Sequence, residues 1–460
     1  MLFPRISTMA DLSHNSAKAY EPDVLVCGLG SAGVAAAISA ARHGAKVLAV
    51  ERWGFAGGYM TAVYGPGMDG FVDVRTGLPV VGGLAIEFAH RAAGKTGDIR
   101  KTNFHPGSDL RDLAEYPEFE PLWLDVERFK LEADRLLKAA GAKLLYHTHV
   151  ASAEREGNKV GSVLIVNKAG ITRVSPKVVV DATGDADVVA FAGGEYSKDP
   201  EIQPMSLHFR IRNVREIRAE LRDKCAEALH KARDEGEIKL FGGPWMGKLR
   251  EGDLWINATR IPGDGTVPED VTEAEIVGRE NAHTMFRIWK DRIPEFSQAE
   301  FVESGPVAGV RETRRIRGRA TITKADIIEG RESTDGVVYG AWYLDRHPRR
   351  HSGFHMHEVV RPYPIGFGTM LPESLDNVIV AGRCHSADSA ALASTRVNIT
   401  AMGMGQAAGV AAALSVENNC SPADLVYQEL QRTLIQDGAI LGKAVEDVLA
   451  VGDKTVEDWP

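Results

Sequence analysis

The sequence predicts an α/β protein: a discontinuous domain built on a parallel sheet, with a mixed α+β domain inserted into it. Three observations carry that expectation. A strand-type run, a glycine-rich turn and an alanine-rich helix follow one another over 23–42, and a second strand closes the unit at Glu51. Short apolar runs of the kind that parallel sheets bury on both faces recur late, at 177–182 and 377–381. The middle, about 200–365, is richer in charge and mixed in pattern, so the two ends share one sheet and the middle forms a second unit.

Taken in order, residues 1–19 read as a loose tail, since Arg5 is followed by no apolar stretch of the kind a secretory signal needs. DVLVC at 23–27 is a strand that stops at Gly28-Leu-Gly30-Ser-Ala-Gly33. A proline-free helix over 34–42 ends at Gly44, and KVLAV at 46–50 is the second strand. From 52 to 83 the chain is loop-like and rich in glycine. A helix over 125–140, closed by Gly141, precedes strands at 144–150, 159–166 and 177–182. Helices are expected at 214–235 and 273–290 in the middle. A strand at 377–381 and a small-residue helix over 399–414 complete the chain. The segments 20–75, 125–200 and 365–460 therefore form one domain, and 76–124 with 201–364 the other.

Composition bounds the function. Of 460 residues, 44% are hydrophobic and 25% charged, which excludes disorder as the main state. The formal charge of −9 gives no general attraction to nucleic acid or anionic lipid. Cys27, Cys225, Cys384 and Cys420 are far apart and form no Cys-x-x-Cys pair. That argues against a zinc or iron–sulfur centre and for reduced thiols in the cytoplasm. No apolar run approaches the ~18 residues of a membrane span. Glycine, 47 of 460, is the outlier and suggests close backbone approaches of the kind nucleotide-binding folds use.

The turn at 28–33 has the chemistry of a dinucleotide site. Gly28 permits the sharp turn, Gly30 lets the backbone approach a pyrophosphate, and Gly33 lets helix and strand pack closely. The helix N-terminus then faces the phosphates. Glu51, ending the second strand, accepts hydrogen bonds from ribose hydroxyls and repels a 2′-phosphate.

The longer pattern Gly28-x-Gly30-x-x-Gly33-x-x-x-Ala37-x-x-x-Ala41-x-x-Gly44 resembles the FAD fingerprint of the glutathione reductase-type flavoproteins. Val179-Val-Asp-Ala-Thr-Gly184-Asp185, Asn377-Val-Ile-Val-Ala-Gly-Arg383 and Met404-Gly-Gln-Ala-Ala-Gly409 resemble three further segments of that superfamily. With Gly57-Gly58-x-x-Thr61 and Val310-Arg-Glu-Thr-Arg-Arg-Ile316, they resemble the bacterial FAD-dependent oxidoreductases, often called fumarate reductase-like flavoproteins. The resemblance implies a Rossmann-like FAD-binding domain. It places the cofactor against Gly28, Gly30, Ser31, Ala32, Gly33, Glu51, Arg52, Gly57, Gly58, Thr61 and Val150. It adds Ala182, Thr183, Gly184, Asp185, Gly382, Arg383, Asp388, Asn398 and Ile399. Phe55-Ala-Gly-Gly-Tyr59 stands where disulfide reductases carry a redox cysteine pair, so disulfide chemistry is not expected.

For catalysis the richest stretch is 345–361, with four histidines and four arginines over 346–361. A strand over 354–361 would put His355, His357 and Arg361 on one face. The expected roles are a histidine base and an Arg361 anchor for an anionic or phenolic substrate, with Arg396 near the flavin's N1–C2=O edge. A solvated basic loop and a His-x-His metal site are the competing readings, and no metal is expected. Tyr64 and His385 are the reserve candidates for the base. In the run 311–319, alternation puts Arg311, Arg315, Arg317 and Arg319 on one side, with Arg314 pairing a buried carboxylate. Cys384 reads as a small buried residue rather than a reactive thiol.

The expected activity is that of a dehydrogenase or oxidase passing hydride from a small organic substrate to flavin N5. Oxygen, a quinone or a protein would serve as electron acceptor. The alternatives are a monooxygenase using external NAD(P)H, since no second Gly-x-Gly-x-x-Gly supplies a nicotinamide domain, and an RNA-associated flavoprotein. Homo-oligomerisation stays open.

Overall fold

The computed structural model describes residues 20–73, 79–93, 123–353 and 358–442. The expected tail at 1–19 lies outside them. The elements that position the site are, in chain order, β1 (Val24–Cys27), α1 (Ser31–Arg42), β2 (Val47–Val50), α2 (Leu84–Ala93), α3 (Val126–Ala139), β3 (Lys143–Leu145), β4 (His149–Glu156), β5 (Lys159–Asn167), β6 (Gly170–Val174) and β7 (Val178–Asp181). There follow β8 (Phe209–Arg212), α4 (Glu220–Asp234), β9 (Phe241–Arg250), β10 (Asp253–Thr259), α5 (Pro268–Arg292), β11 (Glu300–Ser304), β12 (Gly336–Gly340), β13 (Tyr363–Gly366), β14 (Val378–Val380) and α6 (Asn398–Glu417).

The first layer is an all-parallel sheet ordered β14-β7-β1-β2-β3. Its strands are short and apolar because both faces are covered. Val24 and Val26 enter a core shared with α1, α3 and α6. Leu25 and Cys27 enter a second core under the antiparallel sheet β4-β5-β6. Helix α6 packs across α1 on small residues: a Cβ at Gly405 or Gly409 would collide with the carbonyl of Ala32 or Ala36. Among the described residues α6 is the one helix long and apolar enough to cross a membrane, and 89% of its most apolar 18-residue window is buried inside the protein.

A second, antiparallel sheet ordered β9-β10-β8-β11 carries its own core. Phe209, Phe241, Met246 and Ile256 pack there against Met285 and Trp289 of α5 and Leu229 of α4. The molecule is thus α/β throughout its first layer and mixed α+β in its second.

Several expectations need correction. The strand expected at 144–150 is two strands, broken where His147 turns into the left-handed region (φ 50°). The helix expected from 214 begins at Glu220, because Asn213 (φ 60°) and Glu216 (φ 47°) are left-handed and cannot lie within it. Helix α5 starts earlier than expected, at Pro268, a residue suited to the first helical turn. Val80, Leu84, Phe88, Ile322 and Val338, expected in the inserted unit, pack into the first core instead. No strand runs over 358–361: Glu358 makes a single bridge to Leu344, and β13 begins only at Tyr363. Residues 354–357 lie outside the described residues.

Candidate functional site

A cavity of about 970 Å³ opens at the carboxyl ends of β1, β2 and β7 and extends to the second sheet. Ligands of open α/β sheets sit at that edge. The β1–α1 turn shapes one half of it. Gly28 adopts φ +86°, and a Cβ there would lie 2.7 Å from the Ala182 carbonyl. At Gly33 a Cβ would run into the carbonyl of Gly28. Those two glycines serve the protein's own packing. Gly30 differs: like Gly28 it lines the cavity, but a Cβ on it would meet no protein atom nearer than Gly58 Cα at 4.0 Å. No side chain caps the N-terminus of α1, whose first residues Ser31 and Ala32 line the same space. An uncapped helix end over an open glycine is a cradle for phosphate.

Glu51 is buried at the end of β2 and lines the cavity. Its Oε2 accepts the Leu29 N–H at 2.6 Å and its Oε1 the Trp53 N–H at 3.0 Å. Burial raises its pKa above the ordinary carboxylate value, and these two bonds oppose the rise. The carboxylate therefore fixes the glycine turn and still presents lone pairs to a ribose. Arg52, Val150, Ala182, Thr183, Gly184, Gly58, Gly382, Arg383 and Asn398 also line the cavity.

The remaining expected contacts sit behind the lining. Gly57 donates its N–H to Leu29 O at 2.8 Å, and Thr61 Oγ1 donates to Ala56 O. Asp185 accepts from Arg383 Nη1 at 2.9 Å and so orients that guanidinium. Asp388 does not reach the cavity: its Oδ1 caps the Ser389–Thr395 helix and its Oδ2 accepts from Lys324 N. Ile399 is buried at the start of α6, with its N–H given to Asp69 O and Asn398 Oδ1. Asn398 is a clamp as well as a wall. Its Oδ1 accepts the Asp69 N–H at 2.9 Å, and its Nδ2 donates to Gly67 O at 2.7 Å.

The other half of the cavity is aromatic and charged. Tyr59, His208, Trp245, Trp255, Trp342 and Tyr343 line it, with Asp69, Arg311, Asp345, His347 and Arg396. Burial, aided by the charge of Arg311, pushes His208 down to about 3. Burial likewise takes His347 well below the ordinary histidine range. Both imidazoles are neutral at pH 7, and His347 lies 3.0 Å from Asp345 Oδ2. Burial lowers Arg311 to about 9, reinforced by the nearby Arg396. Asp69 is pushed up to about 7, first by burial and then by Asp345, against the pull of Arg396.

The expected catalytic set fares differently. His355 and His357 lie outside the described residues. Arg361 is exposed and does not line the cavity, and no strand runs over 358–361 to aim it inward. Arg396 lines the cavity. His385 is fully buried between Thr369 and Thr395, with its pKa pushed down to about 3 by burial, and serves packing. Tyr64 offers its carbonyl to Trp255 Nε1 and His208 Nδ1 rather than its hydroxyl to the cavity.

The arginine run does not alternate as expected. Arg311 turns to the cavity, while Arg317 and Arg319 are exposed and pair with Glu195 and Asp376. Arg314 pairs with the partly exposed Asp187, and the buried pair is Arg315–Glu312. Cys384 is buried, which pushes its thiol pKa up and makes it unreactive. Asp69 and the tryptophans were not singled out from sequence; the only sequence signal for Asp69 is its place in the glycine-rich stretch 65–70.

An open glycine, an uncapped helix and a buried ribose acceptor along one cavity fit FAD. No curated protein sequence matches the chain. Among solved structures, a geranylgeranyl bacteriochlorophyll reductase-like protein from Thermoplasma acidophilum overlays at TM-score 0.46 and 14% identity, covering 95% of this chain and 97% of that one. The anhydrotetracycline hydroxylase OxyS from Streptomyces rimosus overlays at 0.44 and 14%, covering 90% and 65%. The flavin-dependent brominase Bmp2 does so at 0.44 and 15%, covering 90% and 83%. The model of the FAD dependent oxidoreductase family matches residues 23–434, and the chain, an FAD-binding enzyme, belongs to that family.

Proposed function

We propose that this FAD-dependent oxidoreductase acts as a dehydrogenase or oxidase on a small organic substrate, with Asp69 accepting the proton that the substrate gives up. One observation supports this most. Asp69, a carboxyl held near neutrality, lines the cavity with Asn398 of the cofactor half on its backbone N–H and with Asp345 and Arg396 of the aromatic half acting on its charge. FAD supplies the hydride acceptor; the protein's task is to orient the substrate and manage the proton.

A base works best with a pKa near the operating pH, and Asp69 is pushed there by burial. Asn398 holds the Asp69 backbone against the first turn of α6. His208 and His347, both neutral, present hydrogen-bonding edges without adding charge. Reoxidation falls to oxygen, a quinone or a protein.

The test is anaerobic mixing of the yellow protein with alcohols, amines, hydroxy acids, phenols and saturated acids, one class at a time. One class should bleach the flavin, and Asp69→Asn should slow that bleaching by about 10²–10⁴-fold with FAD retained. Bleaching by NAD(P)H alone, with no organic donor effective, would replace this reading with a monooxygenase.

A further inference from the structure

We infer that the aromatic half of the cavity is an anion site, built to hold a planar aromatic carboxylate with Arg311 as its anchor. This deepens the reading of the cavity as an oxidation site and rests on it for the word substrate. It does not rest on it for binding.

Arg311 is a buried cation whose hydrogen-bond partners are neutral. Arg311 is 9% exposed and lines the cavity. Its Nη1 donates to Pro204 O at 2.8 Å and Ser206 Oγ at 2.7 Å, and its Nη2 to Asn257 Oδ1 at 3.3 Å. These bonds hold the guanidinium in place, and Nε takes part in none of them. The nearby carboxylates are committed elsewhere. Glu312 pairs with Arg315, and Asp345 lies 3.7 Å from Arg396 and bonds His347.

Among the described residues, the charges acting on Arg311 do not balance. Arg396 and Arg260 both act on it as like charges, and Asp345 is the carboxylate that opposes them. Arg260 Nη2 and Arg396 Nε are themselves buried without a hydrogen-bond acceptor. A buried, uncompensated cation is costly, and an incoming anion removes that cost. A planar guanidinium fixed by three bonds also suits the two oxygens of a carboxylate better than a point charge would.

The walls give the shape. Tyr59 meets His208 edge to face with ring centres 5.7 Å apart, and His208 meets Trp255 the same way at 5.0 Å. Trp245 stands against His347 at 5.0 Å. These rings brace one another at near right angles, so the cavity is walled by rigid aromatic side chains that meet an aromatic ring better than a saturated or flexible ligand.

The experiment titrates the FAD-loaded protein with benzoate, phenylacetate, benzamide and cyclohexanecarboxylate, reading the flavin absorbance shift as binding. The aromatic carboxylates should bind on the order of 10- to 100-fold tighter than benzamide, the amide of the same shape. Cyclohexanecarboxylate should bind more weakly than benzoate. Arg311→Gln should erase the preference for carboxylate over amide, and Arg311→Lys should restore part of it, both with full FAD content. The flavin reduction potential should stay at the parent value in both variants.

Equal binding of benzoate and benzamide overturns the proposal. So does an Arg311→Gln protein that binds benzoate as before but has a lowered potential, which would make Arg311 a partner of the reduced flavin. If a variant loses FAD, the parent's carboxylate-to-amide ratio still decides. Binding of benzoate without bleaching by any organic donor would defeat the proposed oxidation while leaving this site standing.

Discussion

Replacing Glu51 by glutamine removes one charge and almost no volume, so its cost can be worked from two hydrogen bonds. In the parent, Oε2 accepts from Leu29 N and Oε1 from Trp53 N. An amide offers one acceptor and one donor group. Whichever way it is turned, its NH2 faces a backbone N–H that has lost its partner. An unsatisfied buried donor costs about 1–3 kcal/mol. Leu29 sits between Gly28 and Gly30, so that cost falls on the turn that shapes the phosphate cradle. The ribose also loses a charged acceptor, and hydrogen bonds to charged groups contribute about 1.5–3 kcal/mol. FAD affinity should therefore fall by at least about tenfold, with a lower Tm of the FAD-free protein as a separate signature of the strained turn. Fluorescence titration of FAD into the stripped protein and a thermal melt read the two effects independently. Parent-like affinity in Glu51→Gln would refute the ribose assignment, and a parent-like melt would refute the claim that Glu51 braces the turn.

Gly30→Val should abolish FAD binding and leave the fold intact, because its Cβ enters cavity space with no protein atom nearer than Gly58 Cα at 4.0 Å; a yellow Gly30→Val protein would contradict it. Gly405→Leu should do the opposite, destabilising the fold by about 1–3 kcal/mol or more, since its side chain must displace the α1 backbone at Ala32; circular dichroism melts check it. The pH profile of flavin reduction should rise through about 7 and then level, because Asp69 works as a base only when ionised, and its ionised form is disfavoured below that value. The same shift has a stability sign. Between about pH 4 and 7 the folded protein keeps a proton that the unfolded chain has lost, so this group's contribution declines as pH rises across that window. Asp69→Asn should remove both the kinetic limb and that slope.

What could be read from sequence divides along one physical line, the distance between the residues that must cooperate. The β1–α1–β2 unit is legible because Gly28, Gly30, Gly33 and Glu51 act within one stretch of about 25 residues. The runs at 178–180 and 378–380 are legible because a strand covered on both faces is apolar at successive positions. Asp69 is illegible because nothing local buries it; its environment is made by Asn398, Asp345 and Arg396, hundreds of residues away. The face expected for Arg361 fails because alternation presumes a strand, and the chain there makes one bridge before Pro362. Arg311 shows the same limit: alternation along its run says nothing of its partners Pro204, Ser206 and Asn257, which belong to another part of the chain.

The sheet order has a consequence for how the protein is made. Strand β14 pairs with β7 some 200 residues earlier, and α6, which lies across α1, follows it. While the chain is being synthesised, β7 therefore stands with an open edge until residue 380 has emerged from the ribosome. The glycine turn at 28–33 waits longer still, for the helix Asn398–Glu417 that packs on α1. Cofactor capture is thus a late event in biogenesis, and contacts of such sequence separation form slowly. An unpaired apolar strand edge invites association with other chains in the meantime. Yield of the folded enzyme in cells should depend on elongation rate and chaperone supply more steeply than on FAD concentration, since the wall at Gly382, Arg383 and Asn398 is missing until the last described strand arrives.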